Sequence, residues 1–176
     1  MKLWKLTDEN GRTRGDTQWG EGVANSGTGV GPLCGPGYVH AYESPLVALL
    51  MNPIHANFSK PRLWEAEGEI ALRDGQLKCG CVTLTTVREI PLPVVTTEMR
   101  IRIAILCAKK VCHDEKWNAW ADGWLDGRDR SAARAAAAAA RAADTAAWAK
   151  NSELDLIAIA NEACGFAAAT NGEAGK

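Results

Sequence analysis

Residues 62–90 limit the fold more than any other stretch of the chain. In RLWEAEGEIAL, Trp64, Ala66, Gly68 and Ile70 alternate with Glu65, Glu67 and Glu69. That period of two is the signature of a strand with one dry and one wet face. Asp74-Gly75 follows as a turn, and QLKCGCVTLTTVREI reads as a second long strand that Pro91 and Pro93 stop. The paired glutamates most simply mark the wet face.

Other strands must complete the sheet. MKLWKLTD sets Trp4 and Leu6 against Lys5 and Thr7, which predicts a half-buried strand. Asn10-Gly11 is a strong hairpin signal, and RTRGDTQWGEGV is its predicted return strand. Gly20 to Gly37 reads as a long adaptable loop, with seven glycines and two prolines. Tyr38 to Tyr42 fit a strand. Ser44-Pro45 is a helix start, Ser as N-cap and Pro at the first position, and Asn52-Pro53 is the expected end of that helix.

The segment TTEMRIRIAILCAKKVC carries two patterns. Residues 100–105 alternate as a strand would, yet Met99, Ile103, Leu106 and Lys110 follow helical spacing. Thr97 can cap, and Lys109-Lys110 suit a helix C-terminus, so a helix is predicted. Beyond residue 113 alanine dominates, the residue of highest helix propensity. Such a helix buries little area, and tryptophans supply what it lacks. Trp117, Trp120 and Trp124 share one helix face, and Trp148 could act at the far end. Ser152 is the expected cap of ELDLIAIANEAC, which Gly165 closes.

These elements predict an α+β protein: a small antiparallel sheet with one or two packed helices, extended by a C-terminal helical hairpin rich in Ala and Trp. The expected domains are an α+β core over 1–112, the hairpin over 113–165 and a frayed tail over 166–176. Net charge is −1 over 176 residues, so no global field draws the chain to nucleic acid or an anionic membrane. The first ten residues contain no apolar core of a signal peptide, and no stretch is apolar for long enough to span a bilayer. The cytoplasm is the expected location, and the six cysteines are then expected as reduced thiols.

Candidate sites are few. Tyr38, His40 and Tyr42 form one stripe of the strand beside the glycine-rich loop, just before a helix N-terminus, which favours anions. The alternative is that they merely cover a sheet edge. Cys79, Cys81, Cys107, Cys112 and Cys34 could supply thiolates to zinc, but their spacings are not those of zinc knuckles, and scattered core thiols explain them better. GTGVGPLCG lacks the Lys-Ser/Thr of a phosphate-binding loop, and no nucleophile elbow occurs. Arg128, Arg130, Arg134 and Arg141 could meet phosphates. Asp122, Asp126 and Asp129 can neutralise them, Asp126 to Arg130 most directly.

GYVHAYESPLVALLM, with RLWEAEGEIALRDGQLKCGCVTL, REIPLPVVTTEMRIRIAILCA and the Ala/Trp tail, resembles a group of small uncharacterised proteins of tailed bacteriophages and prophages. The resemblance covers most of the chain and rests on a Gly-aromatic-x-His-x-x-x-Ser-Pro joint and a PLP before a helix. It implies a small accessory protein in a host cell that occupies a host protein, including a defence system. A weaker resemblance, through LWKLTD and HAYESPLVAL, is to the ADP-ribosyltransferase-like fold. It implies NAD as cofactor and a site of His40, Tyr42 and Glu89, with Glu67 as the other glutamate. No Arg or His lies in the first strand to grip the dinucleotide, which departs from that pattern.

The leading expectation is therefore a non-enzymatic binding protein with no cofactor and a host protein as partner. Seven tryptophans and the arginine row point to Trp117, Trp120, Trp124, Arg128, Arg130 and Arg134 as contact residues, limited to those tryptophans that face solvent. The glycine loop and the Glu-rich strand are the other candidate surfaces. Homodimerisation through the alanine-rich helices is a further expectation, and an enzyme or nucleotide sensor at the Tyr38/His40/Tyr42 strand is the alternative.

Overall fold

The computed structural model describes residues 1–130 and 154–165. The alanine run with Arg134, Arg141, Trp148 and Ser152, the tail, and dimerisation through that run lie outside the described residues. The chain is α+β, and it divides at Val94/Val95 into two compact units. The expected boundary at 112 is thus too late. Composition changes at 113, but the preceding helix already packs on later helices.

The first unit is built on the predicted hairpin, β6 (Arg62–Asp74) and β7 (Lys78–Ile90), paired antiparallel along their length. β1 (Lys2–Thr7) pairs with the outer edge of β6, Lys2 to Glu67 through Thr7 to Arg62. The far edge of β7 is shared by two short strands. β4 (Ala24–Ser26) pairs with residues 83–85, and β5 (Val39–Ala41) with residues 79–81.

One bridge turns this sheet into a ring. Trp4 and Tyr42 exchange both backbone hydrogen bonds at 2.9 Å. Pairing therefore runs β1-β6-β7-β5 and returns to β1. The closed ring has an inside, filled by Leu3, Ala41, Ala66, Cys79, Cys81 and Leu84, with Trp19 packed against them. Helix α1 (Pro45–His55) packs on β1 from another side.

Ring closure overturns the expected half-burial of β1. Lys5 is 7% exposed and Thr7 fully buried, while Leu6 on the other face is buried as well. A strand with a core on one side and a covered face on the other has no wet side, so its alternation carries no direction.

Three local expectations change too. The Asn10-Gly11 turn forms, but the return segment does not run back along β1. β2 (Arg12–Thr13) and β3 (Thr17–Gln18) pair only with each other, across a 3-10 turn at Arg14–Asp16. The edge of β1 that the return strand would take is held by Tyr42. The Gly20–Gly37 loop contains β4 and is internally bonded: Gly29 N–H donates to the Gly37 carbonyl at 2.8 Å, and a Cβ on Gly27 would overlap that carbonyl. Glycine here permits backbone to lie on backbone. Pro53 sits inside α1, because a proline in the last turn forfeits only one helical bond. Buried Asn52 then fixes the exit, bonding both the N–H and the carbonyl of Phe58. Ser44 caps the helix as expected, accepting from Val47 N–H.

The second unit is helical. Residues 98–110 are helix, within α2 (Thr97–Val111), whose cap is Thr96 and not Thr97. Asp114 caps α3 (Glu115–Leu125), accepting from Lys116 and Trp117 N–H. α4 (Leu156–Cys164) is capped by Asp155 and closed by Gly165 in the left-handed region. Ile105, Trp120, Ala121 and Trp124 form the core at the α2–α3 contact.

Candidate functional site

A cleft of about 610 Å³ opens in the first unit between the glycine segment and the interior of the ring. That size suits a small molecule. Lys5 lies at its base, Trp19, Tyr38 and His40 form walls, and Arg14, Cys34, Asn25 and Ser26 stand around them. None of the lining residues is acidic.

Each side chain is placed by a specific piece of local structure. Lys5 points inward because it shares a strand face with Leu3. Its ammonium donates to the His40 carbonyl at 2.7 Å and stands 4.7 Å from the centroid of Trp19. Trp19 is fixed by its own N–H, which donates to Thr13 Oγ1 at 3.0 Å. Tyr38 donates its hydroxyl to the Gly29 carbonyl at 2.8 Å, and His40 Nε2 bonds the Leu33 carbonyl. Both rings are thereby tied to the glycine segment. Gly80, the middle of Cys-Gly-Cys, explains how that segment lies so close. A Cβ there would run into Leu33 and come within 3.0 Å of Tyr38 Cβ.

The electrostatics of the cleft are one-sided. Burial pushes the Lys5 amine down to about 8, against a smaller opposing pull from the thiols Cys81 and Cys79. No carboxylate lies within ion-pair distance of it among the described residues. His40 is held below its ordinary value, chiefly by burial. The Arg14 side chain is exposed at the rim and has no ion pair among the described residues. Lys5, His40 and Arg14 thus line one cleft with two aromatic rings and several hydroxyl and amide residues. Such a lining can hold an aromatic anion.

The predicted site residues scatter. Tyr38 and His40 line the cleft, but Tyr42 is buried elsewhere, bonding His55 Nδ1 through its hydroxyl at 3.2 Å and stacking on that ring. Burial pushes its phenol up to about 12. Glu89 binds Arg62 with both carboxylate oxygens. It lies nine residues along β7 from Gly80, the partner of His40, about 30 Å of strand. His40, Tyr42 and Glu89 therefore form no common site. Glu67 is exposed on β6.

The helical residues fare differently. Trp120 is 9% and Trp124 3% exposed, so they are core and not contact surface, since a short helix with few aliphatic residues needs them inside. Trp117 is half-buried. Arg128 bonds Asp126, and Arg130 bonds Glu98 while lying 4.4 Å over Trp124. The anticipated Asp126–Arg130 pair does not form, because Gly127 ends the helical register after α3. Among the described residues no group of three His, Cys, Asp or Glu could hold a metal ion, and no helix is long and apolar enough to cross a membrane.

Sequence reasoning missed Lys5, Arg14 and Trp19. Leu3 on the same strand face does not by itself reveal Lys5, because its burial follows from ring closure. Comparison with protein-family models, curated proteins and solved structures gave no match. The functional reading therefore rests on these residues.

Proposed function

We propose that this chain is a binding protein whose recognition site is the cleft of the sheet unit, and that its ligand is a small anion carrying an aromatic or otherwise flat body. The observation that carries this reading is the composition of the cleft: Lys5, Arg14 and His40 with Trp19 and Tyr38, and no acidic residue on the lining. An aromatic face can stack on Trp19 or Tyr38, and an anionic group gains charge-assisted hydrogen bonds from Arg14. Recognition in place of turnover keeps the expectation from the sequence but moves it from the helices, whose Trp120 and Trp124 are buried, to the glycine-walled cleft.

Calorimetric titration with a panel of benzoates and nucleoside monophosphates tests the proposal. Saturable binding of at least one member, weakened about tenfold by Arg14→Gln, is the expected result. Absence of binding across the panel, or binding indifferent to both Arg14→Gln and Tyr38→Ala, overturns it.

A further inference from the structure

Lys5 is a poor choice if its only task is to fill the ring. An aliphatic residue would pack against Leu3, Ala66 and Leu84 without carrying a charge inward. Other cations of this unit, Lys2, Arg62, Arg73 and Arg88, lie outside and meet carboxylates. Lys5 has instead one backbone carbonyl and the face of Trp19. The titratable groups facing it are Cys79 and Cys81 from β7 and His40 from β5, with Arg14 further out on the cleft lining. None is a carboxylate that would hold the ammonium form. Burial without a counter-ion favours the free amine, which is the nucleophilic form of lysine.

Resting on the cleft's being a ligand site, we propose that Lys5 is an imine-forming residue, and that the ligand class it serves is an aldehyde- or ketone-bearing aromatic anion. The amine lone pair attacks the carbonyl carbon, a C–N bond forms, and one proton from nitrogen passes to the former carbonyl oxygen to give a carbinolamine. The second proton from nitrogen then passes to that oxygen, the C–O bond breaks and the oxygen leaves as water, giving C=N. No electron transfer is involved, and hydrolysis by water reverses the step. Arg14 holds the anionic group at the rim while Lys5 waits at the base. The Trp19 face, beside the amine, covers the unsaturated carbon. Reversible capture of this kind makes the cleft selective for carbonyl compounds over acids or alcohols of the same shape.

The test uses the full chain and the probe 4-formylbenzoate with sodium cyanoborohydride at pH 7, which reduces an imine to a stable secondary amine. Peptide mapping then reads the label at Lys5, within residues 3–12, and at every other lysine. At that pH a lysine near 8 holds on the order of 100-fold more free amine than an exposed one. Slower access to a buried site leaves an expected preference of at least about tenfold for Lys5. The α-amine of Met1, at the surface and outside the cleft lining, is an internal reference. Excess benzoate should protect Lys5 and leave Met1 unprotected, and labelling in urea should lose the preference. Lys5 labelled no faster than the surface lysines, or not protected by benzoate, overturns the proposal. If calorimetry shows 4-formylbenzoate in the cleft while Lys5 stays unlabelled, only imine formation fails. If neither binding nor labelling occurs, the cleft reading fails with it.

Discussion

The two units treat charge in opposite ways. In the helical unit Lys109 meets Asp122, Arg128 meets Asp126 and Arg130 meets Glu98, all at the surface, while Ile105, Trp120 and Trp124 form an interior without ions. The sheet unit also pairs its outer charges, with Glu65 between Lys2 and Arg88. Yet it keeps Lys5 inside the ring without a carboxylate. Hydrogen bonding differs as well. Trp19 and Trp64 satisfy their N–H groups on Thr13 and Thr7, whereas Trp120 Nε1 is buried without a partner among the described residues. Each unit thus departs from a minimum for stability, the helical unit at Trp120 Nε1 and the sheet unit at Lys5, and only Lys5 lines a cleft of small-molecule size. Such departures concentrate at functional sites.

The largest effect should come from the helical core. Trp124→Ala removes a nearly fully buried ring and should cost about 3–5 kcal/mol in denaturant unfolding. A loss under about 1 kcal/mol would mean that the tryptophans do not form the core.

Lys5→Met should act in the opposite direction. The folded chain holds the Lys5 amine near 8 and the unfolded chain near 10.5. The unfolded state therefore binds more protons between those values, and the lysine-bearing protein gains stability as pH rises through them. Below pH 8 the variant should be more stable by about 3 kcal/mol, an advantage that fades towards pH 10.5. The Tyr42 titration is common to both proteins and cancels in the comparison, whereas Cys81 and His40 feel the Lys5 charge, so their titrations are followed in both proteins. A variant less stable at pH 7 would show that Lys5 holds the ring together.

How far the sequence disclosed these regions follows from the same contrast. The β6–β7 hairpin was legible because its alternation and Asp-Gly turn are local. So were the Ser44 cap and the Trp117/Trp120/Trp124 face. Lys5 was not, because its burial depends on Tyr42 meeting Trp4 38 residues away, and no window along the chain contains both. Tyr38 and His40 were found from their shared strand face, but Tyr42 parted from them once His55 arrived at the end of α1.

Smaller effects sharpen the comparison within the sheet unit. Gly80→Ala pushes on Leu33 and Tyr38 and should cost about 1–3 kcal/mol, with weaker binding in the cleft. Unchanged binding would separate the glycine segment from recognition. Arg14→Gln, at an exposed position, should leave stability within about 0.5 kcal/mol while weakening an anionic ligand.

The most direct test is the titration of Lys5 itself, followed by NMR in protein carrying carbon-13 at the lysine ε position. A resonance assigned through Lys5→Arg and moving with a midpoint near pH 8, well below the ordinary lysine value, is the predicted result. A Lys5 signal that titrates at the ordinary value of a free lysine would contradict an uncompensated amine inside the ring.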